Sequence, residues 1–212
     1  MTLDDSPGSL GPVYFQPYSS AIEEPEIDTI AGYYPQFDES ANRNGQNLAW
    51  YLNQYFNYCI LPDEDSSPTG TGRANFGDLD WGNVYDLNEN CEYQVQAVWN
   101  MTDIGAPHTV VLMHSGLVGD DQLLRPEVHV IARLMHQRLR LPNSRPSVVT
   151  PVLLFSIVGM HHLRVLEAFF DGENLVIRTT QNFDIGQPDR KFFITLSRWW
   201  LGFPSSKSTA FL

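Results

Sequence analysis

The stretch HHLRVLEAFFDGENLVIRTT, His161 to Thr180, decides the fold. Two apolar runs flank Asp-Gly-Glu-Asn, a turn sequence, so the pattern predicts a β-hairpin. A two-residue turn at Asp171-Gly172 sets Glu167 diagonal to Arg178, and one at Gly172-Glu173 sets the two directly opposite. Both registers put the pair on one face with Val165, Phe169 and Val176, whereas a three-residue turn would separate them. Glu167 and Arg178 therefore read as an ion pair on a partly apolar surface, either holding the hairpin or orienting a ligand.

Upstream, VVTPVLLFSIVG is apolar without alternation, which marks a strand covered on both faces at the centre of a sheet. Before it, LVGDDQLLRPEVHVIARLMHQRLRLP carries a helix of about five turns. Its expected buried stripe is Leu124, Val128, Ile131, Met135 and Leu139. Pro126 fits early in this helix, where an amide hydrogen has no partner to lose, and Pro142 ends it. HTVVLMHSG reads as a strand, as does EYQVQAVWN, where Tyr93, Val95, Ala97 and Trp99 alternate with polar residues. PDRKFFITLSRWWLGF reads as an amphipathic helix facing inward through Phe193, Leu196 and Trp200, and NLAWYLNQYFNYCI as a helix near 42–58.

The fold class is thus α/β (α+β), a mixed central sheet of about five strands flanked by helices. Residues 1–40 form an extended aromatic and acidic arm with a frayed beginning, packed on the body or on a partner. Residues 41–212 are expected to form a single domain, with an acidic stretch at about 61–80 that reads as a mobile loop.

Bulk composition narrows the function. The 212 residues carry a net charge of −12, and only Cys59 and Cys91 are present, so no disulfide framework is implied. Residues 1–90 hold 15 acids against two arginines; the remainder hold 10 acids against 11 basic residues. Such a chain repels phosphate backbones, which argues against a nucleic-acid partner. No apolar run is long enough to cross a membrane, and the first residues lack the basic and apolar segments of a signal peptide, so a cytoplasmic protein is expected.

Few residues carry chemistry at a recognisable spacing. The turn Gly116-Leu-Val-Gly119 leads into a helix, but Asp120 and Asp121 would repel a phosphate there. His114 and Ser115 point to opposite faces of their strand, leaving His114 as a lone acid, base or donor. His129, Arg133, His136 and Arg140 share a helix stripe that reads as a wet cationic face. His161 and His162 face opposite ways if extended, so no metal site is expected. Glu127 at the helix start complements the helix dipole.

Leu124 to Val128, Pro151 to Ser156 and Ala168 to Arg178 resemble a group of uncharacterised fungal proteins that share an LRxEV helix, a PVLLFS strand and an AxFDGExLxIR hairpin. The resemblance spans roughly residues 91–202 and implies a setting in small-molecule metabolism. The order helix, three strands, helix over 121–202 is also similar to the core of the PD-(D/E)XK nucleases. That likeness implies magnesium held by Glu127 and Glu167. The chain departs from the pattern: Glu167-Ala168-Phe169 lacks the lysine and no Pro-Asp precedes it, which implies a degenerate domain.

The expected function is a cofactor-independent isomerase or cyclase, a cycloaddition catalyst included, in fungal metabolite biosynthesis. Its substrate would be an apolar small molecule, polarised by His114, Ser156, Glu167 and Arg178, with no cofactor and no metal. A homo-oligomer is compatible with the sequence. The alternatives are the degenerate nuclease-like domain and a non-catalytic interaction module that uses the aromatic arm.

Overall fold

A computed structural model describes residues 1–3, 11–23, 25, 34–59, 71–73, 93–101, 107–118, 122–140 and 149–205. At its centre lies β5 (Val152–Val158), buried along its whole length. It runs parallel to β4 (Thr109–Ser115) and antiparallel to β6 (His162–Phe170). Parallel neighbours need a crossover, and α2 (Arg125–Arg140) lies in the connection between β4 and β5. β3 (Tyr93–Met101) pairs antiparallel with β4, and β7 (Leu175–Thr179) with β6. These are the five expected strands. Two short ones extend the sheet: β2 (Thr71–Arg73) beside β3, and β8 (Phe183–Asp184) on the edge of β6 that β7 leaves uncovered. Apart from β2, the acidic loop expected at 61–80 lies outside the described residues, as does Pro142.

Two apolar layers follow from strand alternation. On one face, Leu112, Leu153, Phe155 and Val165 pack against α1 (Ala41–Tyr58) and α3 (Arg190–Trp200). Leu48, Leu52 and Phe56 of α1 meet Phe193, Leu196 and Trp200 of α3 there, with Phe56 stacked on Trp200 at 5.0 Å. Burial of each such side chain contributes about 1.5–3 kcal/mol. On the other face, Val111, Met113, Leu154 and Leu166 pack against Val130, Ile131, Leu134 and Met135 of α2. The buried face of α2 therefore differs from the expected stripe: Val128 is half-buried and Leu139 is exposed, while Glu127, Val130 and Leu134 are buried.

The alternation expected for β3 also breaks. A bulge between Val95 and Ala97 places Val95 and Val98 in the α2 layer, and Ala97 and Trp99 against the α1 layer. One extra residue reverses the face of everything after it.

The described part of the N-terminal segment is fastened to the body. β1 (Phe15–Gln16) pairs antiparallel with β9 (Phe203–Pro204). The Arg198 side chain donates to the Tyr18 carbonyl, whose own amide donates to the Arg198 carbonyl. Leu3, expected to fray, is buried, and its carbonyl accepts from the Trp199 indole at 3.0 Å. At Gly202 a Cβ would stand 2.3 Å from the Gln16 carbonyl, so only glycine lets the arm approach α3 this closely.

Candidate functional site

The hairpin turns at Gly172-Glu173, with Gly172 at φ +105°, so Glu167 and Arg178 are directly opposed. Arg178 Nη1 donates to Glu167 Oε2 at 3.1 Å. The other carboxylate oxygen is taken: Oε1 accepts the backbone amides of Val13 and Tyr14 at 2.6 and 2.7 Å. Burial pushes the Glu167 carboxyl up from its ordinary value; the two amides and Arg178 pull it part of the way back. Glu167 thus anchors the N-terminal segment to the sheet.

The other two residues expected in the same site do not join this pair. Ser156 stands opposite Arg164 and beside Met113, on the α2 face, whereas Glu167 faces the α1 and α3 layer. His114 shares the face of Glu167 but not its place. In register it aligns with Ile157 and Leu163, while Glu167 aligns with Leu153 and Val110. That separation is about 13 Å along the strands and about 10 Å across them. His114 is packed under α1 against Gly45, and burial pushes it down to about 4, so it stays neutral. The expected four-residue site is therefore not assembled: Glu167 and Arg178 meet, and His114 and Ser156 lie elsewhere.

Glu127 and Glu167 do not meet either. Arg164 Nε donates to Glu127 Oε1 at 2.8 Å and Nη2 to Oε2 at 2.6 Å, both side chains being essentially fully buried. Oε2 also accepts the Leu124 amide at 2.9 Å, the backward bond of a capping box. The two acids are on opposite faces of β6 and each is neutralised by its own arginine, so they form no joint magnesium site. Arg164 was legible as a second charged residue, besides Glu167, in a largely apolar strand. A strand covered on both faces can hold such a group only beside a buried acid.

A different cluster opens to solvent where β5 turns into β6. The connection Gly159-Met160-His161 is tight, with Gly159 at φ +62° and its amide bonded to the Ser115 carbonyl at 3.0 Å. His161 therefore sits in a turn rather than in extended chain. Its ring stacks on that of His162 at 4.6 Å instead of pointing to the opposite face. Across the ladder, His162 pairs with Asp184, and the Ile185 amide donates to the His161 carbonyl at 2.8 Å. These backbone bonds place the Asp184 carboxylate against the His161 ring, with Oδ1 2.8 Å from Nδ1.

The same Oδ1 accepts the Gly186 amide at 2.8 Å, which is the main reason the Asp184 carboxyl lies below its ordinary value. With Asp184 ionised, Nδ1 carries the proton and Nε2 is the ring acceptor. Gly186 must be small here: a Cβ would come within 3.1 Å of Oδ1 and 3.3 Å of the His161 ring.

Phe37, Met160, His161, Asp184, Gly186 and Gln187 line an open cleft of about 500 Å3. The Phe37 ring meets His161 edge-on at 5.6 Å. Tyr34, whose hydroxyl donates to the Ile185 carbonyl, backs this wall with its ring near Phe37. Strand periodicity applied to His161 concealed this cluster. The signal available was Gly159-Met160, a turn that ends extended chain before the first histidine.

No protein-family model, curated protein or solved structure matches the chain. Among the described residues, no helix is long and apolar enough to cross a membrane.

Proposed function

We propose that the protein is an enzyme of the isomerase or cyclase type acting on a small, largely apolar carbonyl compound in the cleft beside His161. The observation that carries this reading is the His161–Asp184 pair set between the apolar walls Phe37 and Met160. A carboxylate that holds one ring nitrogen fixes the tautomer and orients the other nitrogen for proton transfer. A substrate whose apolar body lies on Phe37 and Met160 would present a carbon acid or carbonyl to that ring. Removal of a proton from one carbon and its return to another balances as an isomerisation and consumes no co-reactant. The reading keeps a cytoplasmic setting and a place in fungal metabolite biosynthesis, supported by the resemblance of the strand and hairpin motifs.

The test is proton exchange. A panel of enolisable ketones with apolar bodies is incubated with the protein in deuterated water, and loss of the α-proton signal is followed by NMR. Wash-in for at least one compound class, abolished by His161→Ala and weakened by Phe37→Ala through poorer binding, is expected. Absence of wash-in across the panel, or wash-in indifferent to His161→Ala, would refute the assignment.

A further inference from the structure

We propose that His161, His162 and Asp184 form a binding site for a divalent transition-metal ion of the zinc type. Each side chain offers one ligand atom, and the three atoms lie within 4.8 Å of one another. Around a tetrahedral ion with ligand distances near 2.0–2.1 Å, neighbouring ligand atoms are about 3.4 Å apart. The observed limit of 4.8 Å exceeds that spacing by only about 1.4 Å. The backbone already holds the register: His162 and Leu163 pair with Asp184 and Phe183, and His161 is tied to Ile185.

Two imidazoles and a carboxylate favour zinc, cobalt, nickel or ferrous iron over magnesium and calcium, which prefer all-oxygen shells. The ion takes the place of the proton now shared between His161 Nδ1 and Asp184 Oδ1, and the neutral imidazole then carries its proton on Nε2. The Gly186 amide on Oδ1 supplies the outer hydrogen bond that commonly orients a ligating carboxylate. Three protein ligands leave a further position open toward the cleft. With its proton on Nε2 the metal-bound His161 ring is no longer the base of the metal-free site, and an ion there would act by polarising a substrate carbonyl instead. Only this use of the ion rests on the proposed function; its binding does not.

The experiment uses the full chain, stripped with chelator and then titrated with Zn2+ against a chromogenic competitor, with Co2+ absorption as a second readout. One equivalent is expected to bind, with a tetrahedral or five-coordinate Co2+ spectrum. His162→Ala leaves the His161–Asp184 hydrogen bond in place and, because it removes a direct ligand, is expected to weaken binding by at least about 10-fold. Asp184→Asn is expected to do the same, and serves if His162→Ala fails to fold by circular dichroism. Wild-type affinity no higher than that of either folded variant would overturn the site, as would a Co2+ spectrum unchanged by both. Proton exchange by the stripped protein reads the proposed function separately. Loss of metal binding with exchange retained removes the ion alone; metal binding retained with exchange absent from both the stripped and the metal-loaded protein removes the enzyme reading alone.

Discussion

The ion pair between Glu127 and Arg164 is the sharpest energetic feature of the fold, and its disruption has a calculable signature. Arg164→Met deletes both guanidinium bonds to Glu127, at 2.8 and 2.6 Å, and a third to the Gln122 carbonyl at 2.8 Å. The carboxylate left behind is fully buried and keeps the hydrogen bond from the Leu124 amide. An uncompensated buried charge of this kind costs about 3–5 kcal/mol. Glu127→Leu strands the guanidinium in the same way and should cost about as much. The double variant removes both charges and fills the space with apolar atoms, so it should lie within about 1–2 kcal/mol of the wild type.

Urea denaturation followed by circular dichroism measures all four proteins. With a slope of about 2–3 kcal/mol per molar, each single variant loses about 1–2 M in midpoint, and the double variant recovers most of it. The cycle should give a coupling energy well above 2 kcal/mol, as for groups that share one buried site. Single losses below about 1 kcal/mol, or additive ones, would show that the pair is hydrated rather than buried and would refute the reasoning.

Glu167→Gln turns an acceptor-only group into one whose amide nitrogen faces either Arg178 or the Val13 and Tyr14 amides. A loss of about 1–3 kcal/mol is expected, together with faster hydrogen exchange at Val13 and Tyr14; unchanged protection there would refute the anchoring role. Burial pushes His108 and His114 down to about 4 from an unfolded value of 6.5, so the unfolded chain binds more protons across that window. Stability should therefore fall as pH drops from about 6.5 to about 4, by up to about 3 kcal/mol for each histidine, Glu167 acting with the opposite sign. His114→Leu should flatten the dependence of the urea midpoint on pH, and an unaltered slope would contradict its buried neutral state. Gly202→Ala drives a Cβ into the Gln16 carbonyl, so it should lower stability by about 1–3 kcal/mol and speed proteolysis around Gln16.

Much of this architecture was legible because burial and periodicity agree in it. The apolar run of β5, broken only by Ser156, is central, and the tight turn at Gly172-Glu173 gives the opposed register of Glu167 and Arg178. Reasoning from period failed where one residue changes the phase. The bulge between Val95 and Ala97 reverses the faces of β3, and the Gly159 turn removes His161 from the strand to which alternation assigned it. The buried face of α2 departs from its apolar periodicity because it includes Glu127, whose charge is hidden by a partner 37 residues away. Ser156 and Glu167 could not be sorted onto faces from sequence, since alternation within a strand says nothing of its register with the next.

Strand β6 and the turn before it carry most of the polar groups that matter, and their fates show how structure separates from function here. Arg164 and Glu167 point to opposite faces and are each engaged from within the chain, one by α2, the other by the N-terminal segment and β7. Each fastens a separate layer to the same strand, and neither leaves an oxygen or nitrogen turned toward a solvent-facing cleft. At the start of the strand, one more polar residue and the turn before it meet β8 at the sheet margin, where the apolar layers no longer cover them. His161 and Asp184 there have one mutual bond and open space beside it. Bonding capacity that the fold does not saturate, next to apolar walls, is what a ligand or an ion can use. The His161–Asp184 cluster is therefore placed by the turn between β5 and β6, which the Gly159 amide on the Ser115 carbonyl and the Ile185 amide on the His161 carbonyl hold in position.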